Sequence, residues 1–402
     1  MKRDDQMFSN LKPLPTDPIL GLMAAYKKDT NPNKIDLGVG VYKNEQGDTP
    51  ILESVKKAEA FRLENETSKS YIGLAGDVGF CNKMESLLLG EHSALLANRV
   101  RTAQTPGGTG ALRVAAEFIV RCNPKATVWV TTPTWANHIS LFEAAGLTVK
   151  EYPYYDYENK GLLFDEMIAT LKQVPKGDIV LLHACCHNPS GMDLNQEQWK
   201  IVAELAKEVG FTPLVDIAYQ GFGTSLNEDA AGLRVLADTV EEMIICSSCS
   251  KNFGLYRERI GACSIIAKDS AVADVSNSVL LSVVRSIYSM PPAHGATIVD
   301  TILGSEELTG LWHQELAEMR NRINGLRSLL VDNLHAQNVD QDFSFIKHQH
   351  GMFSFLSITK EQIERLQKEY AIYIVGSSRV NVAGVSKANI EYFSKAVADV
   401  IK

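Results

Sequence analysis

MIICSSCSKNFGLYRERIG, residues Met243 to Gly261, sets four apolar side chains ahead of a turn carrying three serines, a lysine and two arginines. A short apolar run bounded by polar residues reads as a strand buried on both faces, the kind found in parallel sheets covered by helices. Ser248 and Ser250 fall at alternate positions of the strand end, so both hydroxyls can turn toward one anion. Lys251 follows at once. Partly shielded from water beside another cation, its amine can be neutral often enough to attack a carbonyl and form a Schiff base. Taken by itself, a lysine at such a place is more often a solvated charge.

Working outward, similar runs recur at Ala126 to Thr131, Leu147 to Tyr152, Ile179 to Cys185, Pro213 to Ile217 and Ile260 to Ala267, alternating with helical patterns. The alternation predicts an α/β fold with a mainly parallel sheet flanked by helices. Trp199, Val202, Leu205, Ala206 and Val209 form one stripe behind an Asn195 cap with Gln198 three residues on, and Gly210 ends that helix. Beyond residue 305 the period lengthens. Leu308, Leu311, Leu316, Met319, Ile323, Leu326, Leu330 and Leu334 predict a long helix, the Thr359 and Gln362 pair opens another, and Ser386 caps a last one. Segments at Gly351 to Leu356 and Ile372 to Val382 are expected to be strands of a small sheet.

The chain has 402 residues, 45% hydrophobic and 22% charged, enough for a large domain and a smaller one. A formal charge of -8 without a basic run offers nothing to nucleic acid or an anionic membrane surface. No run approaches the roughly 18 apolar residues of a membrane span, and the start resembles no signal peptide, so a cytoplasmic protein is expected. Seven cysteines, two of them adjacent in a buried strand, argue against a disulfide framework.

Several motifs sit at predicted strand ends. TPGGTGALR, Thr105 to Arg113, places glycines and Thr109 at the mouth of a helix, where free N–H groups can hold phosphate. It lacks the G-x-G-x-x-G spacing, and alone it is equally a tight turn. Asp216 ends an apolar strand with Tyr219 three residues on, and HNPSG, His187 to Gly191, brings Asn188 to the same edge. A lone carboxylate there reads as a helix cap. The set together reads as a site. Cys246 and Cys249 form a C-x-x-C without a thioredoxin context, and His183, Cys185 and His187 alternate on one strand face without further ligands at metal spacing.

These residues carry a resemblance. S-x-S-K-N-F-G-L-Y-x-E-R-I-G at Ser248 to Gly261 resembles the cofactor-lysine segment of the class I pyridoxal-phosphate aminotransferases, in the aspartate and aromatic amino acid subgroup. DPILGL, LGVGVYKNEQG, TPGGTGALR, HNPSG, DIAYQGF, YSMPPAHGA, GMFSF and SRVNVAG extend the likeness over nearly the whole chain in the same order. The resemblance implies that Lys251 holds pyridoxal 5'-phosphate and moves the substrate proton, while Asp216 pairs with the ring nitrogen and His138 orients that carboxylate. Tyr219 and Asn188 would bond the ring's phenolic oxygen and Trp135 would stack on its face. Gly108, Thr109, Ser248, Ser250 and Arg259 would hold the phosphate, with Tyr71 arriving from the partner of a homodimer.

For substrate, Arg379 matches the α-carboxylate anchor, assisted by Gly40, Asn188 and Trp135. Arg285 matches the arginine that reaches a distal carboxylate across the dimer. Met290 and Ser70 stand where the aspartate-specific members more usually carry asparagine, whereas Lys43 and Thr49 keep the aspartate pattern. The expected reaction is therefore ping-pong transfer from aspartate, phenylalanine, tyrosine or tryptophan to 2-oxoglutarate, against the alternatives of a strictly aspartate-specific enzyme, another pyridoxal-phosphate reaction such as a β-lyase, and a non-catalytic binding protein of the same fold. The implied architecture is fold type I: an arm at residues 1–12, a small domain at 13–45 and 311–402, and a large domain at 46–310.

Overall fold

The computed structural model describes residues 8, 11–14, 18–92, 96 and 98–402. Most of the expected arm, and Asp17 of the DPILGL segment, lie outside the described residues.

Seven strands build the central sheet: β1 (Val100–Pro106), β2 (Thr127–Thr132), β3 (Thr148–Pro153), β4 (Ile179–His183), β5 (Thr212–Ile217), β6 (Met243–Ser248) and β7 (Ile260–Ile266). They lie side by side as β1-β7-β6-β5-β4-β2-β3. The pairs from β3 to β6 are parallel, and β7 runs antiparallel to both of its neighbours. This is the mainly parallel α/β sheet that the apolar runs predict.

Strand alternation divides the core in two. Ile179, Leu181, Leu214, Ile244 and Cys246 pack on one face with the helices Gly107–Cys122 and Ser270–Ile287, whereas Val180, Leu182, Val215, Met243 and Ile245 pack on the other with Gln196–Val209 and Ala231–Thr239. Cys246 and Cys249 therefore fall into opposite core clusters.

The predicted helix signals appear with their caps. Asn195 and Gln198 form a reciprocal capping box, and Gly210 ends the helix at φ 82°, a backbone region that costs glycine nothing. Thr359 and Gln362 do the same for Lys360–Tyr370. The long period becomes one helix, Glu306–His335, behind Ser305. Ser386 acts one turn early: its Oγ accepts from Asn389 N at 3.3 Å, ahead of the regular helix at Ile390–Ile401.

Two expectations need correction. The C-terminal segments form one small sheet only in part. Phe353–Phe355 pairs antiparallel with Arg379–Asn381, while Ile372–Tyr373 pairs in parallel with Ile35–Asp36 near the start of the chain. The strand expected to run to Cys185 stops at His183, because Ala184 to His187 turn away and Asp193 accepts from the N–H groups of Cys186 and His187 at 2.7 and 2.8 Å. His183, Cys185 and His187 accordingly do not share a strand face.

β1 was not legible as an apolar run, since VRTAQTP carries polar side chains on buried positions. They are paired instead: Thr102 Oγ1 lies 2.8 Å from Ser264 Oγ, and Gln104 accepts from Asp77 N at 2.9 Å and donates to Pro292 O at 2.7 Å. Replacing Gln104 with leucine is expected to cost about 1–3 kcal/mol in urea unfolding, because a buried donor and a buried acceptor lose their partner. An unchanged midpoint would remove Gln104 from this role.

Candidate active site

The carboxyl ends of β4, β5 and β6 converge on one cavity. Register places His183 beside Asp216, Asp216 beside Cys246, and Ile217 beside Ser247. The cavity measures about 270 Å³ and is walled by Asp216, Tyr219, Ser248, Ser250, Lys251 and Arg259, with Gly108, Thr109, Trp135, Asn188, Gly40 and Arg379 completing it. Phe353 also lines it. Clefts at the carboxyl edge of an open parallel sheet are the usual ligand sites of this architecture.

Its charge is lopsided. Lys251, Arg259 and Arg379 line it against a single carboxylate, Asp216, so the cavity attracts anions.

Asp216 has 12% of its side chain exposed, and His138 behind it has none. His138 Nε2 lies 3.0 Å from Asp216 Oδ2, and its Nδ1 lies 2.8 Å from Thr134 Oγ1, one helical turn earlier. Burial alone would raise the Asp216 carboxyl. The His138 hydrogen bond, with Lys251 adding to it, outweighs burial and holds the group below its ordinary value. His183, also bonded to Thr134 at 3.3 Å, is lowered to about 3 by burial and the neighbouring His138, so it stays neutral.

Lys251 is half-buried just past β6, its Nζ 4.8 Å from the centre of the Tyr219 ring. Burial lowers its ammonium to about 8 against the upward pull of Asp216, and the cations Arg259 and Arg379 push the same way as burial. An amine so placed is partly neutral near pH 8.

At the anion end, the helix Gly107–Cys122 opens without a side-chain cap, leaving its first N–H groups free. Arg259 Nη1 donates to Ser250 Oγ at 3.3 Å and to Tyr256 O at 2.9 Å. Gly107 has φ +73°, and a Cβ there would meet Arg259 Nη2 at 2.4 Å. Only glycine lets the guanidinium approach the helix start.

Arg379, 5% exposed, donates to Asn188 Oδ1 at 3.2 Å and Gly38 O at 2.7 Å, with its guanidinium 4.1 Å from the Phe353 ring centre. Asn188 is held there by its loop: His187 stacks on Tyr154 at 4.1 Å and meets Thr131 Oγ1 and Ser190 Oγ at 3.0 and 2.7 Å.

Two residues stand apart from this assembly. Tyr71 is 93% exposed, and Arg285 is exposed and donates to Ser289 Oγ. Among the residues that sequence reasoning did not assign, Thr134 orients His138, Tyr256 lines the cavity while its hydroxyl accepts from Tyr42 N at 2.8 Å, and Phe353 supports Arg379. Thr134 had a signal, its helical spacing from His138. Phe353 had none outside the tertiary structure.

A family model described as aminotransferase class I and II matches residues 32–397. The chain is 51% identical over 396 residues to an aspartate aminotransferase of Salmonella typhi, covering 98% of this chain and 100% of the relative. It is 46% identical over 394 residues to an aromatic-amino-acid aminotransferase of Pseudomonas aeruginosa, covering 98% of each. Among solved structures, an aromatic-amino-acid aminotransferase from Burkholderia pseudomallei covalently bound to pyridoxal phosphate is similar with a TM-score of 0.97 at 46% identity, over 99% of this chain and 100% of that one.

The lowered amine gives a direct expectation. In ligand-free protein, acylation of Lys251 followed against pH should reach half its maximum near pH 8, and Asp216→Asn should move that midpoint lower by removing the group that favours the ammonium. A midpoint near 10, the ordinary lysine range, would contradict the assignment.

Proposed function

The chain belongs to the class I and II aminotransferases and is a pyridoxal phosphate-dependent enzyme, and on that premise we propose that Lys251 carries the cofactor and that aspartate and aromatic amino acids are its donors. The observation that carries this reading is the presence of a lowered amine, a buried carboxylate backed by a histidine, and a buried arginine in one cavity. The residues fit the cofactor. The uncapped helix start with Gly108 and Thr109, together with Ser248, Ser250 and Arg259, suits a phosphate, and the Gly107 cradle is closed to any Cβ. Asp216 suits a protonated ring nitrogen, Tyr219 and Asn188 suit the ring's phenolic oxygen, and Trp135 suits its face.

When bound, pyridoxal phosphate supplies an aldehyde that captures amino groups and a ring that withdraws electrons from the substrate. Asp216 stays ionised because His138 and Lys251 favour its charge, which keeps a cation opposite it. Lys251 Nζ takes and returns the proton at the substrate α carbon, a role that an amine lowered to about 8 suits near neutral pH. Arg379 holds the α-carboxylate with the free face of its guanidinium, Gly40 and Trp135 bordering the place.

Arg285 serves the distal carboxylate of aspartate and of 2-oxoglutarate from the partner subunit of a homodimer, and Tyr71 crosses likewise to the phosphate. Their exposure, alongside exposed Ile51, Phe61, Leu63, Ile72 and Val78, supports a second copy covering this side. Met290 Sδ accepts from Ile72 N at 3.1 Å, a soft contact next to Tyr71, and Arg285, which is exposed and bonded to Ser289 Oγ, would swing outward when an aromatic side chain enters. We assign the cavity floor to a large domain of residues 46–310 and Arg379 to a small domain of 13–45 and 311–402 that closes over substrate and excludes water. No helix among the described residues is long and apolar enough to cross a membrane, and we place the enzyme in the cytoplasm.

Purified enzyme should transaminate both aspartate and phenylalanine with 2-oxoglutarate. Arg379→Leu should lower kcat/KM for both about 100-fold, as losing charge-assisted hydrogen bonds of roughly 1.5–3 kcal/mol each implies. Arg285→Ala should lower aspartate about tenfold or more and leave phenylalanine within about threefold. Background turnover of phenylalanine by the wild type would reject the aromatic half.

A further inference from the structure

Arg327 lies on the long helix Glu306–His335, does not line the cavity, and is only 2% exposed. Its Nη1 donates to Ile346 O at 3.3 Å and to Ser354 Oγ, and its Nη2 donates to Gly351 O at 2.6 Å and Phe353 O at 3.2 Å. Burial lowers the guanidinium to about 10. These partners are carbonyls and one hydroxyl rather than a carboxylate, so the cation bears a desolvation cost that an apolar side chain of similar volume would avoid. What it gains is position, since four acceptors between Ile346 and Ser354 fix the path of that segment into its strand.

The segment carries Phe353, the first residue of the strand Phe353–Phe355. Its ring centre is 4.1 Å from the Arg379 guanidinium and 5.9 Å from the Tyr219 ring at 83°. The surroundings leave it no slack: a Cβ on Gly40 would meet Phe353 Cζ at 2.8 Å, and one on Gly191 would meet Phe353 O at 2.6 Å. Phe355 on the same strand pairs in register with Arg379.

We propose that Arg327 is a positioning residue for the carboxylate anchor: by holding the carbonyl of Phe353 it fixes the ring, and the ring fixes the guanidinium of Arg379. This rests on Arg379 binding the substrate carboxylate, as inferred above. Arg327 would then govern how tightly amino acids of either class bind, while making no contact of its own with Asp216, Lys251 or the groups assigned to the phosphate.

Calorimetric titration of the holoenzyme with 3-phenylpropionate, a carboxylate without an amine, reads the anchor without turnover. Arg327→Met is expected to weaken its binding about tenfold and to raise KM for phenylalanine and aspartate by the same factor, with kcat and cofactor absorbance within about twofold. Arg327→Lys should recover part of the loss. Phe353→Leu should weaken binding similarly, and the double variant Arg327→Met with Phe353→Leu should be no worse than the weaker single variant. Unchanged affinity in Arg327→Met, additive losses in the double variant, or a fall in kcat with KM unmoved would overturn the proposal. If Arg327→Met does not fold, wild-type affinity in both Arg327→Lys and Phe353→Leu would overturn it equally. Wild-type affinity in Arg379→Leu would instead remove the anchor itself, and the proposal with it.

Discussion

A carboxylate at the end of a buried strand is the constraint around which the rest of the site is arranged. Taking Asp216 largely out of water disfavours its charge, and an unpaired carboxylate there would protonate. His138 offsets that cost with a hydrogen bond from the first turn of the helix Asn137–Ala144, and Thr134 holds the other nitrogen of its ring. Lys251 adds its charge from just past β6, the strand next to that of Asp216. Elements far apart in sequence thus act on one carboxylate, His138 by contact and Lys251 through its charge, and loss of His138 would leave the carboxylate without its hydrogen-bond partner.

The same carboxylate leaves the cavity short of negative charge. With Lys251, Arg259 and Arg379 facing one acid, the cavity suits ligands that bring anions, which under the proposed function are a phosphate at the start of the helix Gly107–Cys122 and a carboxylate at Arg379. Burial does most to lower Lys251, and Arg259 and Arg379 add to it. The arginines that draw anions into the cavity thus also contribute to activating the amine, which burial chiefly sets.

Holding Arg379 is a separate structural task. Its strand, Arg379–Asn381, is short and pairs with Phe353–Phe355, so the guanidinium's placement depends on further neighbours: Gly38 O from the start of the chain, the Asn188 side chain from the loop after β4, and the Phe353 ring. The parallel pairing of Ile35–Asp36 with Ile372–Tyr373 brings the beginning and end of the chain together at this point. Arg327 ties the long helix to the segment around Phe353 through carbonyl oxygens.

The sequence by itself determined the sheet class, because apolar runs of strand length alternate with helical stripes, and it determined helix ends where the chemistry is local, as at Asn195 with Gln198 and at Gly210. It also determined the family, through residues whose order along the chain carries the resemblance. It missed β1, whose buried polar side chains are satisfied by partners at Asp77, Ser264 and Pro292, and it misjudged the end of β4, where Asp193 pulls the backbone away. Only the tertiary structure decided which groups share a cavity, how far Lys251 is lowered, and that Phe353 and Arg327 support Arg379. Those properties depend on distance, burial and the field of charges distant in the chain, and a one-dimensional pattern contains none of the three.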